Sequence, residues 1–228
     1  MIRQLLKSRR KQVLIDINTQ KDFFLANGNA CIRNRKRVLA NIRRIMAWAR
    51  SRKIPVISTC EVYGNHNGAN RTNYCIDGTD GQKKIPYTLL SKRINFPADG
   101  STDVPFNTLQ RYRQIILHKR CVDPFDEPRI DRLLSEVQAN EFLLIGASAE
   151  GAVQEMALGL LQRGKKVSVI VDAVGSQNRR EAKLALRKMR AKGARLIEAK
   201  RIAGISHLRY VGICSYEDSK EQTKKKLC

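Results

Sequence analysis

Apolar runs rich in β-branched residues recur along the chain, and most are followed by a segment with helical periodicity. The runs cover residues 12–17, 54–59, 114–118, 141–146 and 166–171, with a weaker sixth at 194–198. Strands buried on both faces of a parallel sheet read as continuous apolar runs, and strands that alternate with helices indicate βαβ units. The pattern predicts an α/β fold with three α/β/α layers, in which helices flank a Rossmann-like parallel sheet of about six strands.

Four segments have the spacing of amphipathic helices, with apolar residues three and four positions apart. They are residues 34–51, 130–138, 150–163 and 179–192, and the last two are followed by Gly164 and Gly193, which suit the end of a helix. Residues 60–113 carry scattered Gly, Asn, Asp and Pro instead. A loop of that length in a compact domain is usually a functional cover.

The length and composition are those of one folded domain. The chain has 228 residues, of which 42% are hydrophobic and 29% charged. We predict a basic N-terminal extension (1–11), one domain (12–200) and a C-terminal tail (201–228). No apolar run approaches the roughly 20 residues that span a bilayer, so we expect a cytoplasmic protein that does not bind membranes. The six cysteines form no C-x-x-C pair and are expected to be free thiols.

The formal net charge is +23, from 44 Lys and Arg against 21 Asp and Glu. Nine cations lie between residues 33 and 53, seven between 179 and 192, and three at 224–226. Such an excess raises the affinity for polyanions through counterion release. No RNA-recognition motif, zinc finger or GXXG loop is present, and aromatic residues make up only 6%. A solvated basic surface and a polyanion site both remain open.

Ligands of open α/β sheets bind outside the carboxyl ends of the strands. Asp16 lies at the end of the first predicted strand, and Lys119 directly follows the third. We expect the two to converge on one crevice, where they would form a buried ion pair.

Four segments, in this order along the chain, carry a family resemblance: VLIDINTQKDFF, CIDGTDGQK, IILHKRCVDPF and LLIGASAEGAVQEMALGLLQRGKKVSVIVDAVGS. Together they resemble the signatures of the isochorismatase-like cysteine hydrolases over residues 12 to about 200. The resemblance implies a triad of Asp, Lys and Cys in which the thiolate attacks an amide carbonyl. It places Asp16 at the acid/base position, Lys119 at the cation position and Ala152 at the nucleophile position. It also implies a cis peptide at Ala147–Ser148.

A methyl group cannot attack a carbonyl, and Cys121, two residues after Lys119, is a weak stand-in because a nucleophile must lie within hydrogen-bond reach of its base. By the same resemblance, the substrate would be bound by Gln20, Phe23, Phe125, Ala147, Ser148 and Gly151.

Two further departures from the family pattern matter. Where nicotinamidases of this family have metal-binding Asp-x-His and His residues, the chain has Cys60-Glu61-Val62 and Tyr74. We therefore expect no metal and no other cofactor. The chain also has two extra residues between Asp16 and Gln20 compared with the usual Asp-x-Gln. The placement of Asn18, Gln20 and Asp22 is therefore open, whereas that of Asp16 is not.

Three functions and one trivial explanation remain. The chain is a pseudoenzyme that binds a small amide-type metabolite, a thiol-independent vinyl-ether hydrolase with Asp16 as general acid, or a basic module that binds nucleic acid or another polyanion. Alternatively, Ala152 is an engineered replacement in an active amidohydrolase. We further expect a homo-oligomer.

Overall fold

Seven parallel strands form one sheet at the centre of the computed structural model, which describes residues 12–64, 72–105 and 107–204. The strands are β1 (Val13–Ile17), β2 (Val56–Glu61), β3 (Arg93–Phe96), β4 (Gln114–Lys119), β5 (Phe142–Gly146), β6 (Val167–Val174) and β7 (Arg195–Ile197). Their order across the sheet is β3-β4-β2-β1-β5-β6-β7. All six predicted strands are present, and the α/β fold is confirmed.

The seventh strand, β3, was not predicted. It lies at the edge of the sheet beside β4, and Arg93 and Asn95 are exposed while only Phe96 is buried. A search for continuous apolar runs finds strands that are covered on both faces, so it misses a short edge strand of this composition.

Helices cover both faces of the sheet. They are α1 (Lys21–Phe24), α2 (Arg35–Ser51), α3 (Thr108–Arg111), α4 (Pro128–Glu136), α5 (Ala152–Gln162), α6 (Arg179–Ala191) and α7 (Ala199–Ala203). The four predicted helices correspond to α2, α4, α5 and α6, with ends that differ by at most two residues. Short 3₁₀ turns occur at Pro86–Thr88 and Pro124–Asp126.

Two apolar cores lie on opposite faces of the sheet. Helices α4, α5 and α6 pack on one core together with Ile15 and Ile17 of β1. Helices α2 and α7 pack on the other, which contains Leu14 of the same strand. Because successive side chains of a strand point to opposite faces, this alternation decides on which side each candidate site residue lies.

The predicted domain end at residue 200 falls inside α7. Ala199 of this helix is buried in the same core as α2, so the packed structure continues to the end of the helix. The predicted extension and nearly all of the predicted tail lie outside the described residues. Within the described part of the chain, no helix is both long and apolar enough to cross a membrane.

Candidate active site

Asp16 forms its ion pair with Lys84, a residue of the long segment before β3. Lys84 Nζ lies 2.8 Å from Asp16 Oδ2, and both side chains are almost fully buried. Ser58 Oγ donates a hydrogen bond to the same carboxylate oxygen at 2.9 Å. The carboxylate is therefore held by neighbours on the α2 side of the sheet.

Lys119 lies on the other side. Its strand places Ile115 and Leu117 in the core beneath α5, and Lys119 follows with the same alternation. Asp16 shares the face of Leu14 instead. The expected ion pair between Asp16 and Lys119 is thus wrong, because side-chain alternation directs the two groups to opposite faces.

The partner of Lys119 is Glu61, at the end of β2. Lys119 Nζ lies 2.9 Å from Glu61 Oε1, with 0% and 3% of the two side chains exposed. The ammonium group also donates to the backbone carbonyls of Cys121 at 2.6 Å and Val122 at 3.0 Å. An ammonium group has three donors, so all three are used within the protein. Lys119 has no donor left for the developing charge of a substrate.

Asn18 connects the end of β1 to this second ion pair. Its side-chain amide donates to Glu61 Oε1 at 2.6 Å, and its Oδ1 accepts a hydrogen bond from Thr59 Oγ1 at 3.1 Å. The residue is fully buried and has a φ of 48°, a left-handed conformation that Asn tolerates better than most residues. Of the polar residues at the end of β1, Asn18 therefore shares a partner with Lys119, and Asp16 does not.

The turn between β5 and α5 brings the next candidate residues to the same end of the sheet. Gly146 has a φ of 121°, and the Ala147–Ser148 peptide is cis, as predicted. The backbone N–H of Ala147 donates to the carbonyl of Ile17 at 2.9 Å, which ties the turn to β1. Gly151 lies against Ser148 and Val122, so a side chain at position 151 would press on Ser148 Oγ.

Ala152 is the first residue of α5 and is 2% exposed, with its methyl group in the apolar core. Cys121 does not stand in for the missing thiol. Its Sγ donates to the carbonyl of Asp123 at 3.0 Å, and burial raises the pKa of the thiol. A neutral thiol held by a backbone carbonyl is a poor nucleophile.

The side chains of Gln20 and Phe23 make contacts within the protein. The Gln20 amide donates to the carbonyls of Glu61 at 2.7 Å and Gln82 at 2.9 Å, and its Oε1 accepts from the N–H of Glu61 at 2.8 Å. Its hydrogen-bonding groups thus brace β2 against the loop. Phe23 is buried, with its ring edge-to-face against Tyr74 at 5.4 Å between centroids.

Phe125 packs away from the ends of the strands. Its ring contacts Gly159, where any side chain would overlap it, and the Arg163 guanidinium lies 4.0 Å from the ring centroid. Both partners lie in the second half of α5 or just beyond it, well away from Ala152. A role for Phe125 in substrate binding stays a prediction.

Sequence reasoning missed Lys84 altogether. It lies directly after the Cys-x-x-Gly-Thr-like segment, and its Nζ donates to Thr19 Oγ1 at 2.6 Å in addition to pairing with Asp16. No periodic pattern marks it, because the segment around it is irregular. The only available signal was the carboxylate of Asp16 at the end of a buried strand, which requires a cation as its partner.

The residues around Glu61 do not fit a divalent metal. The Lys119 ammonium already neutralises the carboxylate, and Tyr63 and Tyr74 lie beside it, with their rings edge-to-face at 5.5 Å. Burial first, and then the charge of Glu61, raises the pKa of both phenols, so they are neutral. In the described part of the chain, no three His, Cys, Asp or Glu side chains are grouped as a metal ion requires.

The reactivity of the Cys60 thiol tests whether solvent and reagents reach this site. Burial raises the pKa of its thiol to about 11, and the nearby charges of Lys84 and Asp16 act in opposite directions. The thiol is neutral below that pH, so we expect iodoacetamide at pH 8 to leave Cys60 unmodified in the folded protein and to label it after unfolding. Peptide mass spectrometry measures this, with the more exposed Cys31 as the internal control. Rapid labelling of folded Cys60 would contradict the burial.

A comparison with protein families decides where the chain belongs. The model of the isochorismatase domain matches residues 12–201. The chain belongs to the isochorismatase family. This confirms the resemblance carried by the four motifs. No curated protein matches the chain.

Solved structures with the same fold include members with several activities. The pyrazinamidase of Pyrococcus horikoshii, solved in complex with zinc, is 16% identical, with a TM-score of 0.65 over 82% of this chain and 99% of the other. The N-carbamoylsarcosine amidase of Thermoplasma acidophilum is 18% identical, with a TM-score of 0.62 over 83% and 96%. The MAR1 ribonuclease of Caenorhabditis elegans is 22% identical, with a TM-score of 0.59 over 97% and 92%. At these identities, the likeness establishes the fold of this isochorismatase-family chain and not its activity.

Proposed function

We propose that this isochorismatase-family protein binds RNA through its basic surface and does not hydrolyse amides with a thiol. The local excess of basic over acidic residues is the observation that carries the proposal. Helix α2 has six Lys and Arg and no acidic residue, and α6 has six against one Glu. All six cations of α6 are exposed, as are most of those on α2. A polyanion that neutralises such side chains gains affinity from the counterions it releases.

Among polyanions, RNA is favoured because one of the solved structures with the same fold is named a ribonuclease. The neighbour named a ribonuclease covers 97% of this chain, whereas the pyrazinamidase and the amidase cover 82% and 83%. That neighbour acts on RNA by its name, and the net charge of +23 gives this chain an affinity for the same class of ligand.

Three observations argue against thiol chemistry. Ala152 cannot act as a nucleophile. The residue that shares Glu61 with Lys119 is Asn18, which we assign to the acid/base position in place of Asp16, and an amide cannot accept a proton as a carboxylate does. Lys119 uses all three of its donors within the protein. The same geometry gives little support to a vinyl-ether hydrolase, because a general acid must reach its substrate, and Asp16 is fully buried against Lys84.

Restoring the thiol alone is not expected to restore an amidase. Ala152→Cys places a nucleophile at the start of α5, but Asn18 still cannot take its proton. We expect no ammonia release from nicotinamide or pyrazinamide by Ala152→Cys, and Ala152→Cys/Asn18→Asp is the matched variant that supplies both groups. Turnover by the single variant would show that another residue, such as Asp16, serves as the base.

Binding itself is tested by fluorescence anisotropy of a labelled single-stranded RNA of about 20 nucleotides, titrated with the full chain. We expect saturable binding at low salt, without displacement by millimolar nicotinamide or pyrazinamide, and with displacement by unlabelled RNA. An anisotropy that does not change over the titration would refute the proposed function. Displacement by the small amides would favour a metabolite-binding protein instead.

A further inference from the structure

We infer that the outward face of α6 is the surface that contacts the RNA backbone. This inference rests on the proposed function and assigns it to one helix. The face consists of the exposed cations of this helix: Arg179, Arg180, Lys183, Arg187, Lys188 and Arg190. The first and last of these cations are 11 residues apart, so at about 1.5 Å per residue they are spread over about 17 Å.

The sequence of α6 determines which of its side chains face solvent. Ala182, Ala185 and Met189 recur at spacings of three and four residues and are buried in the core that α5 shares. The cations occupy the remaining positions and must therefore point to solvent. Two of the three buried residues are alanines, so the helix packs close to the rest of the domain.

The acidic residue of α6, Glu181, forms a hydrogen bond at the start of its own helix. Glu181 accepts a hydrogen bond from the side-chain amide of Asn178 at 2.8 Å, and Asn178 in turn caps the helix by accepting from the backbone N–H groups of Arg180 at 2.9 Å and Glu181 at 3.4 Å. Within the described residues, no cationic side chain of α6 forms a salt bridge or a hydrogen bond. All six are available to phosphate groups.

Three arginines of α2 make contacts within the protein, unlike the cations of α6. The Arg43 guanidinium lies 4.7 Å from the centroid of the Tyr87 ring, and Arg50 donates to the carbonyl of the same tyrosine. Arg44 donates to Asn41 Oδ1 at 3.2 Å and to the carbonyl of Gly204, which ties α2 to the end of α7. These side chains hold the packing on their side of the sheet. A phosphate that recruited them would have to break those contacts, so the free cations of α6 are the better ligands.

The apolar content of α6 favours RNA over an anionic membrane. An interfacial helix inserts a continuous apolar face into the lipid. The apolar face of α6 is already buried in the domain, and outside it only Leu184 is an exposed large apolar side chain among the described residues of the helix, 63% exposed. One leucine between cations can contact a sugar or a base, but it provides little insertion energy.

The test compares two triple variants that remove the same charge from opposite faces. Lys183→Gln/Arg187→Gln/Lys188→Gln neutralises α6, and Lys36→Gln/Arg37→Gln/Arg52→Gln neutralises exposed cations on or next to α2. Counterion release contributes about 0.7 to the salt slope for each phosphate contact with a single strand. We expect the α6 variant to reduce the steepness of the salt dependence of its RNA affinity by about 2. It should also bind RNA about 100-fold more weakly than wild type at about 0.1 M salt. The α2 variant should stay within a few-fold of wild type. All substituted side chains are exposed, and circular dichroism verifies the folding of both.

The outcomes separate the inference from the function on which it rests. If wild type fails to bind RNA, the proposed function fails. If wild type binds and the α6 variant binds equally well, or the α2 variant is weakened as much, the assignment to α6 alone is overturned. A parallel titration with phosphatidylcholine vesicles containing phosphatidylserine adds a third arm. If wild type does not bind RNA but binds the vesicles, and the α6 variant does not bind them, the face is a membrane contact. That result would overturn both the proposed function and the assignment of α6 to RNA.

Discussion

Lys119→Met is expected to destabilise the fold by about 3–5 kcal/mol, because it leaves the Glu61 carboxylate buried without its cation. Glu61 Oε2 is buried and has no hydrogen-bond donor among the described residues, so Lys119 is the chief compensation for this charge. The loss is measured as the free energy of unfolding in urea. A variant with the stability of wild type would show that Glu61 is solvated or neutral in the folded protein.

Two controls separate the buried charge from the loss of a lysine side chain. Lys119→Met/Glu61→Gln removes both charges and keeps an acceptor for Asn18, so it should recover much of the stability that the single variant loses. Lys21→Met removes a lysine whose partner, Asp80, is exposed, and it should leave the unfolding midpoint close to that of wild type. A double variant no more stable than Lys119→Met would contradict the ion-pair explanation.

Gly146→Ala is expected to prevent folding or to cost more than about 4 kcal/mol. The residue has a φ of 121°, and a methyl group there would overlap the carbonyl oxygen of Ile17. That carbonyl accepts the hydrogen bond from Ala147 that ties the turn to β1, so neither strand can move without breaking the sheet. Soluble yield and the unfolding midpoint are the measurements.

The matched control is Gly164→Ala. Gly164 also has a positive φ, 68°, but nothing lies within 4 Å of the position that a methyl group would take. The substitution should cost only the left-handed backbone term of about 1–2 kcal/mol. Equal effects of the two variants would show that backbone conformation, and not the close approach of β5 to β1, decides the role of Gly146.

The sequence predicted the parts of the fold that follow from local pattern. The runs around β1 and β5 are buried on both faces and are continuous in their apolar residues, so their positions could be read directly. The cis peptide at Ala147–Ser148 was expected from the family resemblance of the motif around it. Strand β3 could not, since two of its four side chains are exposed and the strand forms only because β4 offers an edge.

The candidate site was harder to predict, because it depends on which face each residue occupies. Asp16 looked like the acid/base residue, since it ends an apolar strand. The left-handed backbone of Asn18, with a φ of 48°, ends the strand alternation and gives that neighbourhood to Asn18. The pairing of Asp16 with Lys84 joins residues 68 positions apart through an irregular loop. Neither a local pattern nor a motif contains that information. The two extra residues before Gln20 were the one sign that Asp16 did not hold the expected position.

The most direct test of an electrostatic RNA-binding protein on this scaffold is the salt dependence of its affinity. The dissociation constant of wild type for single-stranded RNA is measured from about 50 to 300 mM NaCl and plotted as log Kd against log salt. With the six cations of α6 engaged, the affinity should fall with salt, so that log Kd rises against log salt with a slope of about +4 or steeper. An affinity that does not change with salt would contradict the account, because binding would then depend on contacts other than the excess positive charge.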